Sequence, residues 1–287
     1  MKINNISPDK SSYLQIISSI AKPPKSLYYM GKLPDQRLPT IAVVGTRKPT
    51  RYGQEVTNRL TYELAKQGVV IVSGLALGID ALAHSIALDA GGTTIAVLAN
   101  PLPAIQPTTN RELGVRIIEN GGAIISEHDA DESYTVGRWS FLERNRIIAG
   151  ISDAILITEA SARSGTLNTA MHALDQGKDV FVVPGNITSP SSEGCNLLLK
   201  QGAIPVTSAE DILERLLPQR PRKQKTLPLG SNEHETAIIK HLASGVQDAD
   251  EIQRLTGIDQ TSLNTALTML ELAGTIRPLG NNHWTLS

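Results

Sequence analysis

Three observations predict a doubly wound α/β fold with a mostly parallel sheet, followed by a small second domain. Short β-branched runs alternate with helical stretches from about residue 41 to 217. The runs are apolar throughout rather than at every second residue. A basic, proline-rich stretch then precedes about 55 residues of helical period. Continuous apolar runs suit strands covered on both faces, and repeated β-α-β order places right-handed crossover helices on both sides of a sheet. A chain of 287 residues, 40% of them hydrophobic, is long enough for two packed domains.

The elements follow in order. Residues 1–38, with one helix and the segment SLYYMG, are expected as a short N-terminal extension. Strands are predicted at 41–45 (IAVVG), 69–74 (VVIVSG), 94–99 (TIAVLA), 123–127 (AIISE), 154–159 (AILITE), 180–185 (VFVVPG) and 203–206 (AIPV). Helices are predicted near 52–67, 79–90, 108–120, 138–151, 165–176 and 193–201. This domain spans 39–217. Ligands of such sheets sit at the carboxyl ends of the strands, so the residues just after each strand carry the functional argument.

Residues 218–232 hold prolines and four bases without an apolar period and read as a linker. In 233–287, helices are predicted at 233–245, 250–256 and 260–273, the last ended by Gly274. TIRPL–GNN–HWTLS then makes a short hairpin. Three helices and a wing in this length predict a winged-helix domain.

Composition excludes several function classes. The single cysteine, Cys195, gives neither a disulfide framework nor a thiolate metal cluster. The six histidines are scattered, with no HExxH-like ligand spacing, so no metal and no cofactor is expected. Glu127–Glu132 reads as a solvated acidic loop rather than a cation site. No uncharged apolar run reaches the roughly 18–20 residues that span a bilayer. The polar opening is no signal peptide, so a cytoplasmic location without membrane contact is expected. The net charge of −1 hides an asymmetry: Arg220, Arg222, Lys223 and Lys225 make the linker basic, whereas 233–287 carries seven acids against three bases. An anion-binding surface must therefore be built locally from arginines.

Four strand-end motifs offer such a surface. Gly45-Thr46-Arg47, leading to Arg51 at a helix start, supplies backbone N–H groups, a hydroxyl and two guanidiniums for phosphate; Gly45 alone is equally a turn glycine. Ser73-Gly74-Leu-Ala-Leu-Gly78-Ile-Asp80, with His84 one turn on, allows close backbone approach to a ligand, or forms a tight turn with an Asp80–His84 pair. Arg138-Trp139-Ser-Phe141-Leu-Glu-Arg144-Asn145-Arg146 interleaves arginines with aromatics, the chemistry of phosphate contact plus base stacking. Its alternative is Phe141 in the core and solvated arginines. Ser164-Gly165-Thr166 opens another helix and suits an anion, or simply caps it. With neither GxGxxG nor GxxxxGK[ST], dinucleotide and P-loop readings lack their signatures. With no GxSxG elbow, nucleophilic hydrolysis lacks its own.

Together VGTRKPTRYG, SGLALGIDALAH, FLERNRIIAGIS, TEASARSGTLNTA and VFVVPG resemble the DNA-processing protein A (DprA/Smf) family over roughly 25–215. The resemblance implies an extended Rossmann-like fold, sequence-independent binding of single-stranded DNA, homodimerisation, and delivery of incoming DNA to the recombinase RecA in natural transformation. It maps the family's pocket onto Gly45, Thr46, Arg47, Arg138, Phe141 and the Arg144–Arg146 segment, with Ser164 and Gly165 on the same edge. Two departures stand out. Only some 38 residues precede the Rossmann-like part, where many members carry a SAM-like domain. Phe141-Leu142-Glu143 also replaces the usual Phe-Pro-x. In this reading the arginines hold phosphates while Phe141 and Trp139 stack on unpaired bases.

The third helix of the C-terminal domain contains no Lys or Arg, so a contact with protein or a regulatory role is expected there rather than duplex reading. Two rival functions differ in class. A LOG-type nucleoside monophosphate phosphoribohydrolase needs a catalytic glutamate where this chain has Asn168 and Thr169, leaving only Glu159 upstream. A nucleotide sensor would close the same pocket on a small ligand.

Overall fold

The computed structural model describes residues 2–129, 134–219 and 230–286. The chain divides into two compact units, 1–220 and 221–287. The first is a nine-stranded, mostly parallel sheet with helices on both faces, a Rossmann-like fold.

In chain order its elements are β1 (Asn4–Ile6), β2 (Leu27–Gly31), β3 (Thr40–Val44), α1 (Arg51–Lys66), β4 (Val70–Ser73), α2 (Ile79–Asp89), β5 (Thr94–Leu98), α3 (Arg111–Glu119) and β6 (Ala123–Ser126). There follow α4 (Arg138–Ile151), β7 (Ala154–Ile157), α5 (Thr166–Asp175), β8 (Asp179–Val182), α6 (Glu193–Lys200), β9 (Ile204–Pro205) and α7 (Ala209–Leu216). The sheet order is β1-β2-β6-β5-β4-β3-β7-β8-β9. From β3 the chain winds one way to β6 and then returns to β7 on the other side of β3. The β3–β7 junction is thus the topological switch point, where a crevice opens above the carboxyl ends of the strands.

Why the strands are wholly apolar is visible in β3. Ile41 and Val43 enter the core under α1, α2 and α7, with Leu60, Leu64 and Ile79. Ala42 and Val44 enter the opposite core under α4 and α5, with Ile147, Ile148 and Ala170. Both faces are covered, so neither register of alternation can be polar.

Two features differ from the sequence expectation. The first 38 residues supply β1 and β2, with β2 pairing antiparallel to β6, so they extend the sheet. Their helical content is two 3₁₀ turns, Pro8–Lys10 and Gln15–Ser19, rather than one α-helix. This segment is tied down by Tyr13, whose hydroxyl lies 3.1 Å from Thr40 Oγ1. Asp153 also accepts from Arg37 and from the Thr40 backbone N–H. Secondly, α7 has no counterpart among the expected helices; Ser208 and Asp211 cap it reciprocally, and it buries Ile212 and Leu213.

The second unit contains α8 (Glu233–Ala243), α9 (Ala249–Thr256), α10 (Gln260–Leu272) and the hairpin β10 (Ile276–Gly280)–β11 (His283–Leu286). Asn232, Asp248 and Asp259 each accept backbone N–H groups at the three helix starts. Asn281 and Asn282 turn the hairpin with positive φ, as a twisted two-residue loop requires. Ile238, Ile252, Leu263, Leu267 and Ile276 form a separate core. The four bases expected in the linker, and Asp131 and Glu132 of the acidic loop, lie outside the described residues. Among the described residues no helix is long and apolar enough to cross a membrane, and no cluster of three potential metal ligands occurs.

Candidate nucleic-acid interface

Above the switch point lies a cavity of about 560 Å³. Its walls come from the loop after β3, the start of α4 and the loop entering α5: Gly45, Thr46, Arg47, Arg138, Phe141, Arg144, Asn145, Ser164, Gly165 and Thr166. Ten of the sixteen residues singled out in the sequence therefore converge on one concave surface.

The helical repeat explains which side chains of α4 reach it. Residues three, four and seven apart share a face, so Arg138, Phe141, Asn145 and Ile148 point into the cavity together. Arg47 reaches across from the β3 loop and stacks its guanidinium over the Phe141 ring, 5.6 Å from the centroid. Both side chains remain exposed, and Phe141 keeps 37% of its surface accessible. An exposed cation on a partly exposed ring leaves part of both groups accessible to a ligand. On the far wall, Ser164 donates to Thr166 Oγ1 and accepts from the Thr166 N–H, fixing the entrance to α5. Asn145 on α4 donates to Asn168 on α5, holding the two walls at a constant width.

The second sequence motif supports the cavity from behind. Gly78 has φ +81°, and a Cβ there would collide with the Thr46 carbonyl and the Arg47 backbone. A glycine is therefore what lets this loop brace the phosphate-type loop after β3. The Ile79 N–H donates to Thr46 O at 3.1 Å and completes the brace.

Arg144 forms the floor. It is buried, donates through Nη1 to Gly74 O (2.8 Å) and to Val97 O, and occupies the space that a Gly74 side chain would need. Burial pulls its pKa down to about 10, Arg47 pushes the same way, and neighbouring Asp80 opposes both. Burial likewise raises the Asp80 carboxyl against the pull of Arg144, while Asp80 accepts from the Gly74 N–H at 3.0 Å. The Asp80–His84 pair offered as the alternative reading of this motif does not form. His84 Nδ1 lies 2.6 Å from Thr94 Oγ1 instead, and burial together with Arg144 depresses its pKa to about 3.

Six expected residues do not line the cavity, each for a geometric reason. Ser73 is fully buried and donates to Val43 O. Gly74 and Gly78 serve as spacers behind the wall. Arg51 is exposed at the start of α1, outside the cavity. Trp139 and Arg146 lie about 200° around α4 from Phe141 and Arg144, two residues at roughly 100° each, and so face away. Arg146 is buried and paired with Glu127 at 2.5 Å. The expectation that Arg144 and Arg146 are freely presented cations is corrected accordingly, since both are interior.

One residue of the rival enzymatic reading can be placed as well. Glu159 is 2% exposed, and its two oxygens accept from the Thr50 hydroxyl and the Thr50 N–H. It neutralises the start of α1 and does not line the cavity. In the sequence it stands only as a strand-end carboxylate; the signal that places it is Thr50, the N-cap that Glu159 holds.

Known proteins match this architecture. Protein Smf of Escherichia coli is 39% identical over 264 residues, covering 88% of this chain and 69% of its own length. DNA processing protein DprA of Bacillus subtilis is 40% identical over 222 residues, covering 76% and 72%. The solved structure of DNA processing protein A from Helicobacter pylori, a protein with a single-stranded DNA binding mode, is 32% identical with a TM-score of 0.66. That likeness covers 77% of this chain and 98% of that one. The DprA winged helix domain matches residues 220–282. Because the family model for DNA recombination-mediator protein A matches residues 4–217, a span that contains the sheet, the switch point and every wall of the cavity, the chain belongs to the DprA/Smf family.

Proposed function

We propose that this protein binds single-stranded DNA without sequence preference along the cavity above the β3–β7 switch point. It acts as a homodimer that hands the strand to the RecA recombinase, not as an enzyme. The observation that carries the reading is the Arg47–Phe141 stack at the cavity mouth, flanked by Arg138. Guanidiniums attract phosphates without regard to sequence, and a ring offers every base the same π-face. Thr46 and Thr166, whose hydroxyl oxygens accept within the protein, keep their hydroxyl protons as donors for phosphate oxygens. Duplex DNA binds more weakly because its bases are already stacked on one another. Two copies engaging one strand gain affinity through effective concentration.

Titration of oligothymidylate at two salt concentrations tests this. Arg47→Ala is expected to weaken binding and to flatten the plot of log affinity against log salt, by about 0.7 for each single-strand phosphate that Arg47 neutralises. An unchanged affinity and slope would refute the assignment.

A further inference from the structure

A second cleft, of about 420 Å³, lies on the opposite side of α4, between α4, α5 and residues 19–22. Trp139 stands at its wall with 72% of its surface exposed, although it is the larger of the two aromatics in α4 and the chain has only two tryptophans. A bare indole at the first turn of a helix contributes nothing to any of the three core clusters of the sheet unit. Leu142, one turn into α4, lines both clefts, so the helix carries a cleft on either side. Of the cations lining this cleft, Arg146 is paired with Glu127 and Lys178 donates to the Ala149 and Gly150 carbonyls, while Lys22 stands at the same wall as Glu143 and Asp175. Arg146, nine-tenths buried, also keeps Nε and Nη1 without a hydrogen-bond partner among the described residues.

From these observations we infer that Trp139 is a second stacking platform: a single strand leaving Phe141 crosses the first turn of α4 and lays a further base on the indole. This rests on the single-strand reading proposed above. The two rings point about 200° apart around a helix roughly 10–12 Å wide, so they cannot sandwich one base. They serve successive parts of one strand, and the ridge of α4 between them bends it. The chemistry required of the occupant is a flexible polyanion with accessible base faces, which single-stranded DNA supplies and a duplex does not.

The test uses the full chain carrying Trp284→Phe, so that Trp139 is the only fluorophore of its kind. Oligothymidylates of about 4 and about 16 nucleotides, the ends of the range for single-strand binding folds, are titrated while indole emission and affinity are read. Quenching by the long strand is expected. Trp139→Ala should reduce the affinity gained on going from the short to the long oligomer by about fivefold or more. Phe141→Ala should weaken both oligomers. Phe141-dependent binding with an unquenched indole and a wild-type length dependence for Trp139→Ala would overturn this inference alone. Absence of binding to either oligomer would overturn it together with the single-strand reading.

Discussion

The carboxyl rim of the sheet and the third helix of the C-terminal unit are both places where folds of these kinds meet nucleic acid, and they are built from opposite chemistry. The rim gathers Arg47, Arg138 and the Phe141 ring around a cavity whose floor is a buried arginine. The outer face of α10 offers Thr261, Asn264, Thr265, Thr268, Met269 and Leu272, without one basic side chain. Shape alone does not bind a polyanion. A recognition helix lacking phosphate contacts cannot hold its register on a duplex, whereas the rim needs no register because stacking and charge are indifferent to sequence. Under the proposed function, DNA belongs to the first unit, and α10, with its exposed Met269 and Leu272, is left to a different contact.

Four changes break or sharpen that contrast, in decreasing order of effect. Arg144→Met should be the most damaging. It leaves the Gly74 and Val97 carbonyls without their buried donor and Asp80 without the cation that favours its charge, and each buried acceptor left unsatisfied costs about 1–3 kcal/mol. Chemical denaturation would read this as a lower midpoint at constant slope. Phe141→Ala comes next: the fold should persist, because the ring is half out of the core, while single-strand affinity falls by about 1–3 kcal/mol of stacking.

An effect that is absent at neutral pH and grows only in acid belongs to His84. Its folded-state pKa of about 3 lies below the ordinary 6.5, so between those values the unfolded chain takes up a proton that the folded chain refuses. Stability is therefore lost as pH falls below about 6.5, by at most about 1.4 kcal/mol per pH unit. Thermal unfolding from pH 7 to 4 should show a shallower acid decline in His84→Gln than in the wild type; parallel curves would remove His84 from the account. Smallest of all, Met269→Ala with Leu272→Ala on α10 should leave single-strand affinity and its salt slope at wild-type values in an oligothymidylate titration. A clear loss would dissolve the division of labour.

How much of this was legible in the sequence depends on what burial does to each residue type. The strands from β3 to β8 were readable because two-sided burial writes itself as near-uninterrupted apolar runs. The antiparallel edge was not: β2, LYYMG, buries only Leu27 and Met30 and keeps half-exposed tyrosines, so it carries neither clear signature. Arg47 was legible from its place just after β3, and its grouping with Arg138 and Phe141 of α4 from the family resemblance. The fate of Arg144 was not, because arginine is rarely interior and only the three-dimensional gap left by Gly74 makes room for it. The separation of Trp139 from Phe141 was, by contrast, present in the sequence. Two residues in a helix face opposite ways, and treating the pair as one aromatic patch ignores that angle.

The claim that the arginine-and-ring rim is the DNA surface is tested most directly by photo-cross-linking. A thymidine strand bearing photoreactive bases is bound to the full chain, irradiated, digested and mapped by mass spectrometry. Adducts are expected in the segments 45–47 and 138–145, reduced in Arg47→Ala. Adducts confined to 260–272, or spread over the surface without preference for the rim, would contradict it.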